Sequence, residues 1–310
     1  MLNRELKIGT RGSRLALRQA EEVAGELRQR FPETSFSLIT IKTMGDKILD
    51  VPLARVGGKG LFVKEIEEAL LNGQVDLAVH SAKDIPTEIP QGLAMGAFTR
   101  REDPYDVLIS KDGKGFKSLP LGAKIGTSSL RRRAQLLHQR PDLEIVPLRG
   151  NLDTRLRKLS SLGLDAIVVA AAGLCRLGLE DQITEHIPEE ILLPAIGQGA
   201  LGIEIRAYDP LVADLVQTLD HPETHKTVTA ERAFLRRLGG GCQVPIAAHG
   251  RIVNGRLTLC GMVARPDGKG MVRERLEGDP HRAEELGTAL AERLLAIGGD
   301  RILREVYKNG

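Results

Sequence analysis

Lys7-Ile8-Gly9-Thr10 recurs unchanged as Lys124-Ile125-Gly126-Thr127 in this chain of 310 residues. Each copy leads through Ser and Arg into a stretch of helical periodicity: Arg11 and Ser13 after the first, Ser128, Ser129 and Arg131 after the second. A second echo follows in the same order, Asp76-Leu77-Ala78-Val79 against Asp165-Ala166-Ile167-Val168. Four-residue matches are weak singly. In shared order and context they predict two lobes built alike.

Around the echoes the pattern alternates. The spacing predicts strands over 6–10, 36–42 and 76–80 and helices over 13–30 and 61–71, an order that gives a parallel or mixed sheet covered by helices. Connections between the lobes are expected at 99–104 and 194–199, both rich in Pro, Gly or charge, with 201–206 as a strand returning to the first lobe. After residue 220 the pattern changes to a helix over 226–238, three strands divided at Asn254-Gly255 and Pro266-Asp267-Gly268, and a closing helix over 282–296. The expected division is therefore 1–99 plus 200–219, 100–199, and a C-terminal α+β domain over 220–310 with a three-stranded antiparallel sheet.

Composition excludes several classes. Hydrophobic content of 42% and charged content of 27% are those of a soluble globular protein. The longest apolar run, 166–175, is too short to span a bilayer, and Met1-Leu2-Asn3-Arg4-Glu5 lacks the apolar core of a signal peptide. Three cysteines without a C-x-x-C pair argue against a disulfide framework and a structural metal, and suit a reducing cytoplasm. Thirty arginines against 14 lysines, with nine basic residues against three acids over 124–158, point to an anionic ligand, because the guanidinium fork matches carboxylates bidentately. Nine aromatic residues offer few stacking platforms for a nucleic acid.

One motif is a decoy. Gly197 to Gly202 fits G-x-G-x-x-G, but Pro194 precedes it and a β-like run follows, so it reads as a hinge and not a dinucleotide site; no P-loop is present. The chemistry gathers elsewhere. Lys83 and Asp84 follow the apolar run that His80 ends, where a parallel sheet displays functional groups and an acid can move protons. Thr127, Ser128 and Ser129 open a helix whose Arg131 and Arg132 lie nearest its start, with Arg133 toward solvent. Arg149, Gly150 and Arg155 repeat that design. Free N–H groups at such turns bind anions, and a crevice between the lobes is their natural ligand site. Finally Gly239-Gly240-Gly241-Cys242 sets one thiol on a nearly side-chain-free loop, as nucleophile, metal ligand or anchor.

Taken together, 8–13, Gly57-Gly58-Lys59-Gly60-Leu61-Phe62, 80–84, 126–129 with their arginines, 149–151 and 240–242 resemble hydroxymethylbilane synthase, also called porphobilinogen deaminase, in that family's order. The tail beyond about Asp267 carries no matching motif. The resemblance implies periplasmic-binding-protein-like lobes with a double hinge. It also implies an enzyme that joins four porphobilinogen molecules head to tail with loss of ammonia. Growth occurs on a dipyrromethane cofactor bound to Cys242 by a thioether, and water releases hydroxymethylbilane. It assigns Asp84 as the catalytic acid and Cys242, Lys83, Asp84, Thr127, Ser128, Ser129, Arg131, Arg132 and Gly150 to the cofactor. Arg11, Ser13, Lys59, Phe62, Arg149, Arg155 and Arg176 fall to the substrate, and no residue to a metal; the segment 43–60, long and glycine-rich at its end, reads as a mobile lid. A cytoplasmic monomer that meets porphobilinogen, and neither nucleic acid nor membrane, is expected. The competing reading is a two-lobed protein that binds or senses a small anion without chemistry, which leaves the glycine-presented thiol unexplained.

Overall fold

Both echoes close the same pair of hydrogen bonds in a computed structural model, which describes residues 5–47, 60, 62–240 and 244–308. Strand β1 (Leu6–Thr10) runs parallel to β3 (Leu77–Ser81) with Ile8 opposite Leu77. Strand β6 (Lys124–Gly126) runs parallel to β8 (Ala166–Ala170) with Ile125 opposite Ala166. The Lys7 N–H donates to Asp76 Oδ2 at 2.9 Å and the Asp76 N–H returns to Lys7 O at 2.8 Å. Lys124 and Asp165 repeat this at 2.7 and 3.0 Å. The glycine of each echo is a packing requirement: a Cβ would come within 3.1 Å of Val75 at Gly9 and within 2.7 Å of Leu164 at Gly126. The repeated words thus encode strand pairing.

The chain divides into two compact units, Met1–Leu49 with Gly58–Glu102 and Ala200–His225, and Asp50–Gly57 with Asp103–Gly199 and Lys226–Gly310. The first holds a five-stranded sheet in the order β2-β1-β3-β10-β4, with β2 at Phe36–Thr40, β4 at Leu93–Phe98 and β10 at Leu201–Arg206. The second holds a sheet of the same plan, β7-β6-β8-β5-β9, with β5 at Asp106–Ser110, β7 at Glu144–Val146 and β9 at Glu185–His186. In each, three strands are parallel and the fourth in the order, β10 or β5, runs against its neighbours. That reversed strand is the one the chain enters just after changing units, at Gly199/Ala200 or Glu102/Asp103.

Period-two alternation divides the core. In the first unit Leu77 and Val79 pack with Ala20, Val23 and Leu27 of α1 (Arg14–Arg30), whereas Ala78 joins Ile66 and Leu70 of a helix at Lys64–Leu71 on the other face. That helix is α3, α2 being the single turn Met44–Lys47. In the second unit Ala166 and Val168 meet Leu136 of α4 (Leu130–Gln139). Ile167 and Val169 meet Leu159 of α5 (Leu152–Ser161) and Leu174 of α6 (Ala171–Leu177). With both faces covered, β8 reads as an unbroken apolar run. A further helix, α7 (Pro210–Gln217), completes the first unit's core through Val212 and Val216.

The three C-terminal strands, β11 (Ile246–Val253), β12 (Arg256–Ala264) and β13 (Met271–Gly278), form the predicted antiparallel sheet. Asn254 and Gly255 both have positive φ, 50° and 72°, the requirement of a two-residue turn between Val253 and Arg256. Helix α8 (Pro222–Arg237) starts earlier than its expected bound, and α9 (Ala283–Leu294) passes through a kink with Gly298 at φ 113° into α10 (Asp300–Lys308), a helix beyond the expected end at 296. Phe234, Leu259, Leu290 and Leu303 make their common core. No helix among the described residues is long and apolar enough to cross a membrane.

Candidate functional site

In the first unit the carboxyl ends of β1, β2 and β3 share one edge because these strands are parallel. Ser13 caps α1, its Oγ accepting from the Ala16 N–H at 3.2 Å, and the buried Thr10 hydroxyl donates to Ala16 O at 3.1 Å. Arg11 lies with its Cζ 4.3 Å from the centre of the Phe62 ring, so two predicted substrate residues meet in a cation–π contact. Strand β3 ends in one tight turn, Ala82–Asp84. The Ala82 N–H donates to Ala200 O at 3.0 Å, and Ala82 and Ile85 are buried. This anchors the backbone while Lys83 and Asp84 remain half-exposed. One turn further into α1, the buried Gln19 exchanges hydrogen bonds of 3.1 and 3.3 Å with Ser81, tying the two elements together.

Behind this edge His80 Nε2 lies 3.1 Å from Glu204 Oε2, both side chains almost wholly buried. Neighbouring Glu67 is pushed up from 4.5 to about 7, first by burial and then by the charge of Glu204, with His80 opposing. Folded Glu67 therefore holds a proton that the unfolded chain releases from about pH 4.5 upward, and stability falls as pH rises toward 7. Glu67→Gln carries the neutral form at every pH. Thermal melts are expected to show a raised Tm at pH 8 and little change at pH 5; a lower Tm at pH 8 would mean the charged carboxylate is the stabilising form.

In the second unit β6, β7 and β8 are likewise parallel, and a helix starts at the carboxyl end of each. Ser129 caps α4 by accepting from the Arg132 N–H at 3.4 Å, and Asn151 caps α5 by accepting from the Thr154 N–H at 2.9 Å. Thr127 is buried, its Oγ1 accepting from the Ser129 N–H at 3.2 Å, whereas Ser128 is exposed. Gly150 has φ 111° and a Cβ there would lie 2.6 Å from Thr154, so only glycine suits this turn. Its carbonyl accepts from Arg155 Nε at 2.8 Å. Arg149 is half-buried, and desolvation pushes its guanidinium below the usual arginine value. Arg176, on α6, is buried with Nη2 donating to Gly199 O at 2.9 Å.

Arg131 and Arg132 are 6% and 5% exposed, and both meet a residue that sequence reasoning missed, Asp106 at the start of β5. Arg132 donates to Asp106 Oδ1 through Nε at 3.0 Å and Nη2 at 2.6 Å, and through Nη1 to Val168 O. Arg131 Nη1 lies 2.7 Å from Asp106 Oδ2 and donates to Leu193 O at 2.7 Å. Burial alone would raise the Asp106 carboxyl, but the two guanidinium charges outweigh it and hold it well below the ordinary carboxylate range. Arg133 is exposed. Cys242, Lys59 and most of the 43–60 segment lie outside the described residues.

The comparisons agree over nearly the whole chain. Residues 6–214 match the family model described as "Porphobilinogen deaminase, dipyromethane cofactor binding domain", and residues 225–296 match "Porphobilinogen deaminase, C-terminal domain". The porphobilinogen deaminase of Pelobacter propionicus is 57% identical over 305 residues, covering 98% of either chain. That of Geobacter metallireducens is 58% identical over 308 residues, 99% of this chain and 96% of the relative. Among solved structures, the periplasmic aliphatic sulphonate binding protein SsuA from Escherichia coli is 17% identical with a TM-score of 0.41, over 75% of this chain and 70% of that one.

Proposed function

Because the chain belongs to the porphobilinogen deaminase family, we propose that the cation-bearing strand ends of its two units hold the carboxylates of substrate and cofactor. The chain is a transferase of tetrapyrrole biosynthesis that deaminates porphobilinogen and joins four molecules head to tail on a covalent dipyrromethane primer, releasing hydroxymethylbilane. A binding protein without chemistry is not favoured.

The observation that carries the residue assignment is the row of arginine-bearing helix N-termini after β6 and β7, with Asp84 at the corresponding edge of the first sheet. Every pyrrole unit carries an acetate and a propionate, and such anions suit guanidinium forks, hydroxyls and helix N–H groups. Ser128, Ser129, Arg131 and Arg149 are of the right chemistry for the cofactor and the first incoming ring. When bound, the dipyrromethane supplies the pyrrole carbon on which the product is built. Cys242 anchors it and takes no later part. Arg11, Ser13 and Arg155 orient porphobilinogen through its carboxylates, and Phe62 holds Arg11 in place. As ammonia leaves, positive charge develops on the pyrrole nitrogens, where the Asp84 carboxylate stabilises it and takes up the proton. The same reading makes the protein a cytoplasmic monomer that binds neither nucleic acid nor membrane.

Intact mass of the denatured protein tests this. Protein from cells able to make porphobilinogen is expected to exceed its sequence mass by two pyrrole units, persistently through unfolding. The bare sequence mass would overturn the reading.

A further inference from the structure

Asp106 has no part in the function as described so far, yet three side chains of the second unit converge on it: Arg131, Arg132 and Gln198. Its carboxylate is fully buried and lies between the first two arginines of α4. Gln198 Nε2 donates to its Oδ1 at 3.2 Å and to Pro104 O at 2.7 Å. Gln135, one turn along α4 from Arg131, donates to Leu193 O at 3.2 Å and accepts from the Leu193 N–H at 2.8 Å. Asp106 thereby joins α4, β5 and the 193–198 segment in one polar network.

The two arginines are not equivalent in it. Arg132 spends Nε, Nη1 and Nη2 on Asp106 and Val168. Arg131 meets Asp106 only through Nη1, in an ion pair that leaves Oδ2 without an aligned hydrogen-bond donor. Its Nε and Nη2 groups have no acceptor among the described residues. Two buried guanidinium groups side by side repel each other, and one carboxylate between them offsets that repulsion while fixing where each points.

We infer that Asp106 is a positioning residue for the polymerisation: it locks Arg132 into the fold and presents the remaining donors of Arg131 to a carboxylate of the bound pyrrole chain. This rests on the family reading above. Of the adjacent arginines, Arg131 is the ligand and Arg132 the scaffold.

Asp106→Glu keeps the charge but moves the carboxylate by one methylene, and Asp106→Asn removes the charge. Each full-length variant is made in cells that produce porphobilinogen, then melted, weighed intact, and mixed with limiting porphobilinogen so that masses reveal how many rings each molecule has added. Asp106→Glu is expected to melt within a few degrees of wild type, to retain the two-pyrrole excess, and to add its first ring about 10- to 100-fold more slowly. Molecules should accumulate with no added ring. A purely structural role would instead lower the folded fraction and leave the ring distribution of surviving molecules unchanged. That distribution, or first-ring addition within twofold of wild type, overturns the proposal, as does failure of both variants to fold. Wild type lacking the two-pyrrole excess overturns the family reading itself, so the two failures are separate.

Discussion

Asp84→Asn is expected to retain the two-pyrrole mass excess and to lose about 10²- to 10⁴-fold in kcat, the range of a positioned acid–base group. The substitution is nearly isosteric, and the turn that carries it is fixed by groups it does not touch: the Ala82 N–H on Ala200 O, and the buried side chains of Ala82 and Ile85. Folding and carboxylate binding should therefore survive, with KM changed far less than kcat. What the amide lacks is the negative charge that, on the proposed reading, offsets cationic pyrrole nitrogens, and the basicity to accept a proton. Steady-state rates together with intact mass decide the matter. A variant that still turns over at near-normal rates would remove Asp84 from the reaction.

Cys242→Ser is expected to abolish both the adduct and all activity. An alcohol is far less acidic than a thiol, so serine offers almost no anionic nucleophile to be alkylated at neutral pH, whereas a cysteine thiol ionises far more readily. Without an anchored primer there is nothing to extend. The protein should fold, since Leu238 and Val244, on either side of the loop, are buried in the C-terminal core. Mass equal to the bare sequence, with unchanged circular dichroism, is the predicted result. Retention of the excess would move the anchor to Cys175 or Cys260.

Much of the fold could be read from the chain because its signals are local. The apolar alternation of 6–10, the unbroken apolar run of 166–170, the Asn254-Gly255 turn and the Ser13, Ser129 and Asn151 caps each act within a few residues of themselves. The placement of the candidate residues was legible to the same depth: arginines beside capped helix starts stood out, and Lys83 and Asp84 followed an apolar strand. Asp106 did not stand out. It begins an apolar run, a position that reads as a strand boundary, and its partners Arg132 and Gln198 lie 26 and 92 positions away. Glu204 was not singled out either: it sits between Ile203 and Ile205 in a strand of a sheet covered on both faces, and is buried against His80. A charged residue inside a doubly covered strand signals a buried polar partner, although the sequence does not say which. The closing helix was read only to 296, short of the Gly298 kink, and α10 beyond it was not read.

The matched brackets that join β1 to β3 and β6 to β8 allow the two sheets to be laid on one another residue by residue. Leu77 then corresponds to Ala166, and counting on from that pair, Asp84 corresponds to Gly173. The frame is doubled, but its acid is single. If Asp84 serves the chemistry, the second copy has no workbench of its own, and each of the four condensations must visit the same carboxylate. The molecule is then a one-station assembly line, in which the lengthening product has to move past a tool that stays on its strand end.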